Sequence, residues 1–234
     1  MSGAKLALDL LAIDLDGTLV DSAPDIAHCL GAALEAVGFD APGEARTRVW
    51  IGDGLETLIA RALAHAAQSE GRAPADGLRA QERHAAALRA FLDCYRDNLF
   101  VRSRLYPDAA ETLDALRARG LTLCCITNKR FSFSESLLTQ AGVRNRFALV
   151  LGGDSLPEKK PSPMPLLAAA EALGVATSSA ALVGDSHQDL RAARSAGYAF
   201  IHATYGYGKV DETEAGPAPR IRRFADLRAL LGAL

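Results

Sequence analysis

The chain has 234 residues, 49% of them hydrophobic and 23% charged, with a formal net charge of -2. That suits one sizeable core plus a smaller attached unit. The balanced charge and the lack of a long basic run argue against a nucleic-acid groove or an anionic membrane surface, and no stretch approaches the roughly 18 uninterrupted apolar residues of a membrane span.

At the N-terminus, Asp9 interrupts the opening apolar stretch and no small-residue cleavage site follows, which is not a signal-peptide pattern. Leu8–Leu15 is predicted as a buried strand. The interval from Asp21 to Phe100 is rich in Ala, Leu, Arg and Glu and predicts helices. One begins near Ser22-Ala23-Pro24, with Asp21 and Ser22 as its N-cap, one follows Gly54, and one lies around Ala75–Phe91. The predicted organisation is therefore an α/β core over residues 1–20 and 101–234, with a helical cap over 21–100. Helical patterns follow at Pro107–Arg119, Ser134–Ala141, Pro163–Leu173 and His187–Ala196, each stopped by glycine. They alternate with apolar runs at Leu121–Thr127, Ala148–Leu151, Ala180–Gly184 and Tyr198–His202. Strand, helix and glycine in alternation predict a mostly parallel, Rossmann-like sheet covered on both faces.

The remaining segments read as ordinary surface. Tyr205-Gly206-Tyr207-Gly208-Lys209 lacks P-loop spacing and reads as a loop beside the last strand, and Arg220-Ile221-Arg222-Arg223 reads as a solvated face. None of Cys29, Cys94, Cys124 and Cys125 has zinc spacing. The adjacent Cys124 and Cys125 suit burial as reduced thiols, which fits a cytoplasmic protein.

Open parallel sheets bind ligands outside the carboxyl ends of their strands. The first strand ends in Asp14-Leu15-Asp16-Gly17-Thr18, the second in Ile126-Thr127-Asn128-Lys129, and a later one in Val183-Gly184-Asp185-Ser186, with Asp189 one turn on. Lys159-Lys160-Pro161 precedes the helix leading to that last strand. Two like charges about 4 Å apart repel by about 4 kcal/mol at an effective dielectric near 20. A hard divalent cation such as Mg2+ reverses that sign, while a hydroxyl, a lysine and free backbone N–H groups suit a phosphate.

At these residues "DLDGT", "TN", "KP" and "GDSHQD", in this order, resemble the four motifs of the haloacid dehalogenase superfamily, and the helical insertion resembles its first cap class. "VWIGDGLETLIARAL", "RLYPDAAETLDAL" and "TNK" further resemble bacterial phosphoglycolate phosphatases. The resemblance implies Asp14 as nucleophile, Asp16 as the acid and base, and Thr127, Asn128 and Lys160 on the phosphoryl group. It implies that Asp14, the Asp16 carbonyl and Asp185 hold Mg2+, with Asp189 supporting the metal site or orienting Lys160. Gly52, Asp53 and Gly54 are either a plain turn or a loop over the substrate. Arg61 is either a partner for a substrate carboxylate or part of a solvated helix face.

The implied activity is hydrolysis of a small phosphate monoester, 2-phosphoglycolate foremost, through an aspartyl-phosphate, in a monomer or homodimer whose partner is a small phosphorylated metabolite. Hydrolysis of another sugar or organic-acid phosphate, or a sugar-phosphate mutase, are the alternatives. Asp16 argues against a dehalogenase, and the lack of lysine between Asp21 and Phe100 argues against a phosphonatase. A receiver-like signalling domain would carry its acid on a middle strand, without a large insertion.

Overall fold

The structure is a computed structural model and describes residues 8–71 and 77–231. The chain divides into two compact units, one holding the residues up to Asp21 and from Arg104 onward, the other Ser22–Ser103.

The first unit is built on strands β1 (Leu10–Ile13), β2 (Val20–Asp21), β3 (Arg104–Leu105), β4 (Thr122–Ile126), β5 (Leu149–Leu151), β6 (Ala180–Gly184), β7 (Ala199–Ala203) and β8 (Arg220–Ile221). Six of them form one sheet in the order β5-β4-β1-β6-β7-β8. Every pairing in it is parallel, with Leu10 of β1 opposite Thr122 on one side and Ala180 on the other. β1 and β6 are buried at every position, as apolar strands covered on both faces must be. Leu10, Ala12, Cys124, Ile126 and Leu182 pack with Leu166, Ala169, Leu190 and Ala193 in one apolar cluster. Cys124 and Cys125 are fully buried free thiols, and burial pushes Cys124 up to about 12.

Among the described residues, four helices make up the second unit: α1 (Ala23–Glu35), α2 (Glu44–Arg48), α3 (Leu55–Ser69) and α4 (Gly77–Asp97). α1 packs on α2, α3 and α4, and Ile26, Leu30, Ile59, Phe91 and Tyr95 of this unit are all buried. Ser22 stands at the N-cap position of α1, but its side chain makes no capping bond. The neighbouring Asp25, fully buried, instead receives the Arg102 and Ser103 N–H groups at 2.8–3.0 Å and the Ser103 hydroxyl at 2.6 Å. One carboxylate thus ties the start of α1 to the exit of this unit. The predicted third helix begins at Gly77; the Ala75–Asp76 part of that expectation lies outside the described residues.

The remaining helices belong to the first unit: α5 (Ala109–Ala118), α6 (Phe131–Gln140), α7 (Met164–Leu173), α8 (His187–Ala196), α9 (Glu212–Ala215) and α10 (Asp226–Leu230). α2, α9, α10 and the two-residue strands β2, β3 and β8 escape sequence-based prediction, because elements this short carry no readable periodicity. Among the described residues no helix is long and apolar enough to cross a membrane.

Candidate active site

The order of the sheet reverses at β1: β4 and β5 lie to one side, β6 to β8 to the other. Such a switch point leaves a crevice outside the carboxyl ends of the strands. Asp14 still belongs to the ladder, its N–H donating to the Val183 carbonyl at 3.0 Å, and Thr127 donates its N–H to the Leu151 carbonyl at 3.0 Å. Asp185 follows directly on β6. Three adjacent strands therefore deliver an aspartate, a threonine and a second aspartate to one edge.

Lys160 completes the cluster from the loop between β5 and α7. Its ammonium is buried and donates to Asp14 Oδ1 at 2.7 Å, the Ile126 carbonyl at 2.6 Å and Asp189 Oδ1 at 2.6 Å. Its three hydrogens are thereby satisfied. The Asn128 side-chain amide donates to the Lys160 carbonyl at 2.9 Å, fastening this loop to the end of β4. Burial alone would lower the Lys160 pKa, but Asp14 and Asp189 outweigh it and raise the group, so it is a fixed cation. Asp189 works from α8: its second oxygen accepts from the Ser186 N–H at 3.1 Å and the Ser186 hydroxyl, in a capping box. Of the two roles open to Asp189, the contacts favour orienting Lys160.

The acids are held against their preference for charge. Burial pushes Asp14 up to about 7, with Lys160 pulling the other way and Asp189 and Asp16 adding repulsion. Asp185 is raised well above the carboxylate range, by burial first and then by Asp14 and Asp189, while the Gly208 N–H at 2.8 Å opposes this. Oxygens of Asp14, Asp185 and Asp189 lie within 4.8 Å of one another. Since Lys160 and Ser186 take up Asp189, Asp14 and Asp185 are the pair best suited to a cation. Hard carboxylate oxygens crowded in this way fit a divalent ion of the magnesium or calcium class.

Asp16 faces a different partner. Both of its oxygens accept from Lys129 Nζ at 3.0 Å, and the Lys129 N–H donates to Thr127 Oγ1 at 3.2 Å. Sequence reasoning does not single out Lys129; its adjacency to Thr127-Asn128 is the available signal.

The segment after β7 is a second part of this site that the sequence does not announce. The Tyr205 hydroxyl donates to the Thr18 carbonyl at 2.7 Å, and the Tyr106 ring meets the Tyr205 ring edge-on, centroids 4.7 Å apart. Gly206 lies so close that a side-chain carbon there would be driven into the Asp185 carboxylate and the Gly17 carbonyl. Gly17, at φ +86°, likewise presses its backbone on Asp185. The pattern that fails as a P-loop is a backbone wall around Asp185.

Gly52, Asp53, Gly54 and Arg61 belong to the helical unit. There Arg61 donates to the Trp50 carbonyl at 3.1 Å and pairs with Asp53, so helix and loop brace one another.

The profile of the haloacid dehalogenase-like hydrolases matches residues 11–203. A phosphoglycolate phosphatase of Nitrosococcus oceani is 40% identical over 224 residues, spanning 95% of this chain and 96% of the relative. One from Escherichia coli (strain K12) is 40% identical over 205 residues, spanning 84% and 81%. The crystal structure of a predicted phosphoglycolate phosphatase from Haemophilus somnus superposes with a TM-score of 0.88 at 36% identity, covering 95% of this chain and 97% of the other.

Proposed function

The chain belongs to the haloacid dehalogenase-like hydrolase family and is a phosphoric monoester hydrolase; from that premise we propose that it cleaves a small phosphate monoester, 2-phosphoglycolate foremost, to glycolate and phosphate. The observation that carries the chemistry is Lys160, clamped by Asp14 and Asp189 at the switch point beside Asp185. The substrate rests on relatives of about 40% identity that bear that name.

In this mechanism a carboxylate oxygen of Asp14 attacks phosphorus as the bond to the ester oxygen breaks. Asp16, protonated, gives its proton to the departing alkoxide and glycolate leaves. Water then attacks phosphorus in the aspartyl-phosphate, Asp16 takes its proton, and Asp14 departs as a carboxylate. Lys160 and Thr127 balance charge on the transferring group, while Asn128 and Asp189 hold Lys160 in place. Asp14, Asp185 and the Asp16 carbonyl would hold Mg2+, which supplies charge neutralisation between the acids and the phosphoryl oxygens.

Incubating the purified protein with Mg2+ and about twenty phosphorylated metabolites, one chemical class per group, tests this. The expected result is the highest kcat/KM on 2-phosphoglycolate. A sugar phosphate in first place would transfer the reading to that class, and no phosphate release from any ester would refute it.

A further inference from the structure

We propose that Cys29 and Cys94 form an oxidisable dithiol, closed to a disulfide by a hydroperoxide and reopened by a small thiol, that staples α1 to α4 within the helical unit. No residue of the phosphoryl-transfer site takes part, so the pair stands apart from the hydrolysis proposed above.

The two residues lie 65 positions apart in the chain, Cys29 on α1 and Cys94 on α4, and those helices pack on one another. Both thiols are free, and their sulfurs stand 2.6 Å apart. Since a disulfide joins sulfurs about 2.0 Å apart, closing this pair needs little movement of either helix. Cys29 is fully buried, and burial, with Cys94 beside it, pushes its thiol up, so it keeps its proton. Cys94 is half-buried and is the sulfur that a dissolved oxidant meets first. The Asn98 side-chain amide points a donor at Cys94 Sγ from 3.8 Å, which favours negative charge on that sulfur.

With hydrogen peroxide as oxidant, the Cys94 sulfur attacks one oxygen. An S–O bond forms, the O–O bond breaks, and the thiol proton leaves with the other oxygen as water. The Cys29 sulfur then attacks the Cys94 sulfur: the S–S bond forms, the S–O bond breaks, and the hydroxyl leaves with the Cys29 proton as a second water. Two electrons pass from the sulfurs to the peroxide. The bond closes beside the clasp at the two ends of this unit. Cys29 stands one turn beyond Asp25, which holds the Arg102 and Ser103 N–H groups. Asn98 donates to the Cys94 carbonyl at 3.0 Å and accepts from the Arg102 guanidinium at 3.3 Å. Oxidation therefore fixes α1 to α4 next to the segments by which the chain enters and leaves the unit.

The test treats the full-length protein with hydrogen peroxide, unfolds it in an alkylating reagent and maps its peptides by mass spectrometry. Before oxidation all four cysteines should alkylate. Afterwards Cys29 and Cys94 should resist, their two peptides joined and lighter by two hydrogens, and dithiothreitol should restore both thiols. The melting temperature should rise by about 5 °C or more on oxidation, because the bond closes a long loop of chain. Cys94→Ser should show neither the joined peptides nor the rise, and Cys94→Ala repeats the comparison if the serine variant fails to fold. Four thiols that stay alkylatable would overturn the inference, as would Cys94 carried to a sulfinic acid without joining Cys29, or a cross-link between two copies of the chain. A disulfide that forms without raising the melting temperature would overturn the staple.

Discussion

Asp25 and Asp14 are both buried aspartates, one in each unit, and their surroundings are opposites. Asp25 accepts from two backbone N–H groups and a hydroxyl, with the Arg102 guanidinium 3.5 Å away, so its charge is fully answered by its own unit. Asp14 receives Lys160 on one oxygen, sits against Asp185, Asp189 and Asp16, and is pushed by burial up to about 7. A satisfied carboxylate holds a fold together. A carboxylate held short of satisfaction is ready to be completed by a cation or to react, which is why strongly perturbed acids mark functional sites.

That contrast can be broken most decisively at its reactive end. Asp14→Asn should lower kcat by about 10⁴-fold or more while leaving the melting temperature near the wild-type value, because an amide is no nucleophile. Phosphate release in steady state and a thermal melt measure the two halves. Asp25→Ala should do the reverse. Removing a buried acceptor of several bonds costs about 3 kcal/mol of stability, read by urea unfolding, with kcat of the folded fraction within about twofold of wild type. A large loss of kcat in that folded fraction would erase the distinction between the two aspartates.

Smaller effects sharpen it. Gly206→Ala should displace the Asp185 carboxylate and weaken Mg2+ binding about 10- to 100-fold, measured by titration calorimetry. The smallest expected effect is on pH dependence. Asp14 has a folded pKa of about 7 against the ordinary aspartate value of 3.8, so in the metal-free protein its contribution to stability is present below about 4 and is lost as pH rises to 7. A cation favours the charged carboxylate, so the rise in melting temperature on adding Mg2+ should be larger at pH 8 than at pH 5.5, by a few degrees. Equal rises at both values would show that the cation does not compete with protons at these acids.

Much of this molecule is legible in the chain, for reasons that also explain the gaps. β1, β4 and β6 announce themselves as unbroken apolar runs because both faces are covered, and α7 and α8 close at Gly174 and Gly197. Asp14, Asp185, Lys160 and Asp189 can be placed at one edge because parallel strands all point their carboxyl ends there. Lys129 stays hidden because a lysine after a strand reads as solvent-facing until its partner, 113 residues away, is known. The 205–208 wall stays hidden because it acts through backbone and a tyrosine hydroxyl, which leave no spacing to recognise. Asp25 reads as an ordinary acid in a first helical turn, since its donors come from residues 77 and 78 positions later.

The most direct measurement is a rapid acid quench of the wild-type protein during its first turnover of 2-phosphoglycolate labelled at phosphorus, followed by peptide mapping. Label should appear transiently on the peptide carrying Asp14 and be missing from that peptide in the Asp14→Asn variant. Label that passes from ester to free phosphate without residing on that peptide, under conditions where the wild-type protein turns over, would contradict attack by Asp14.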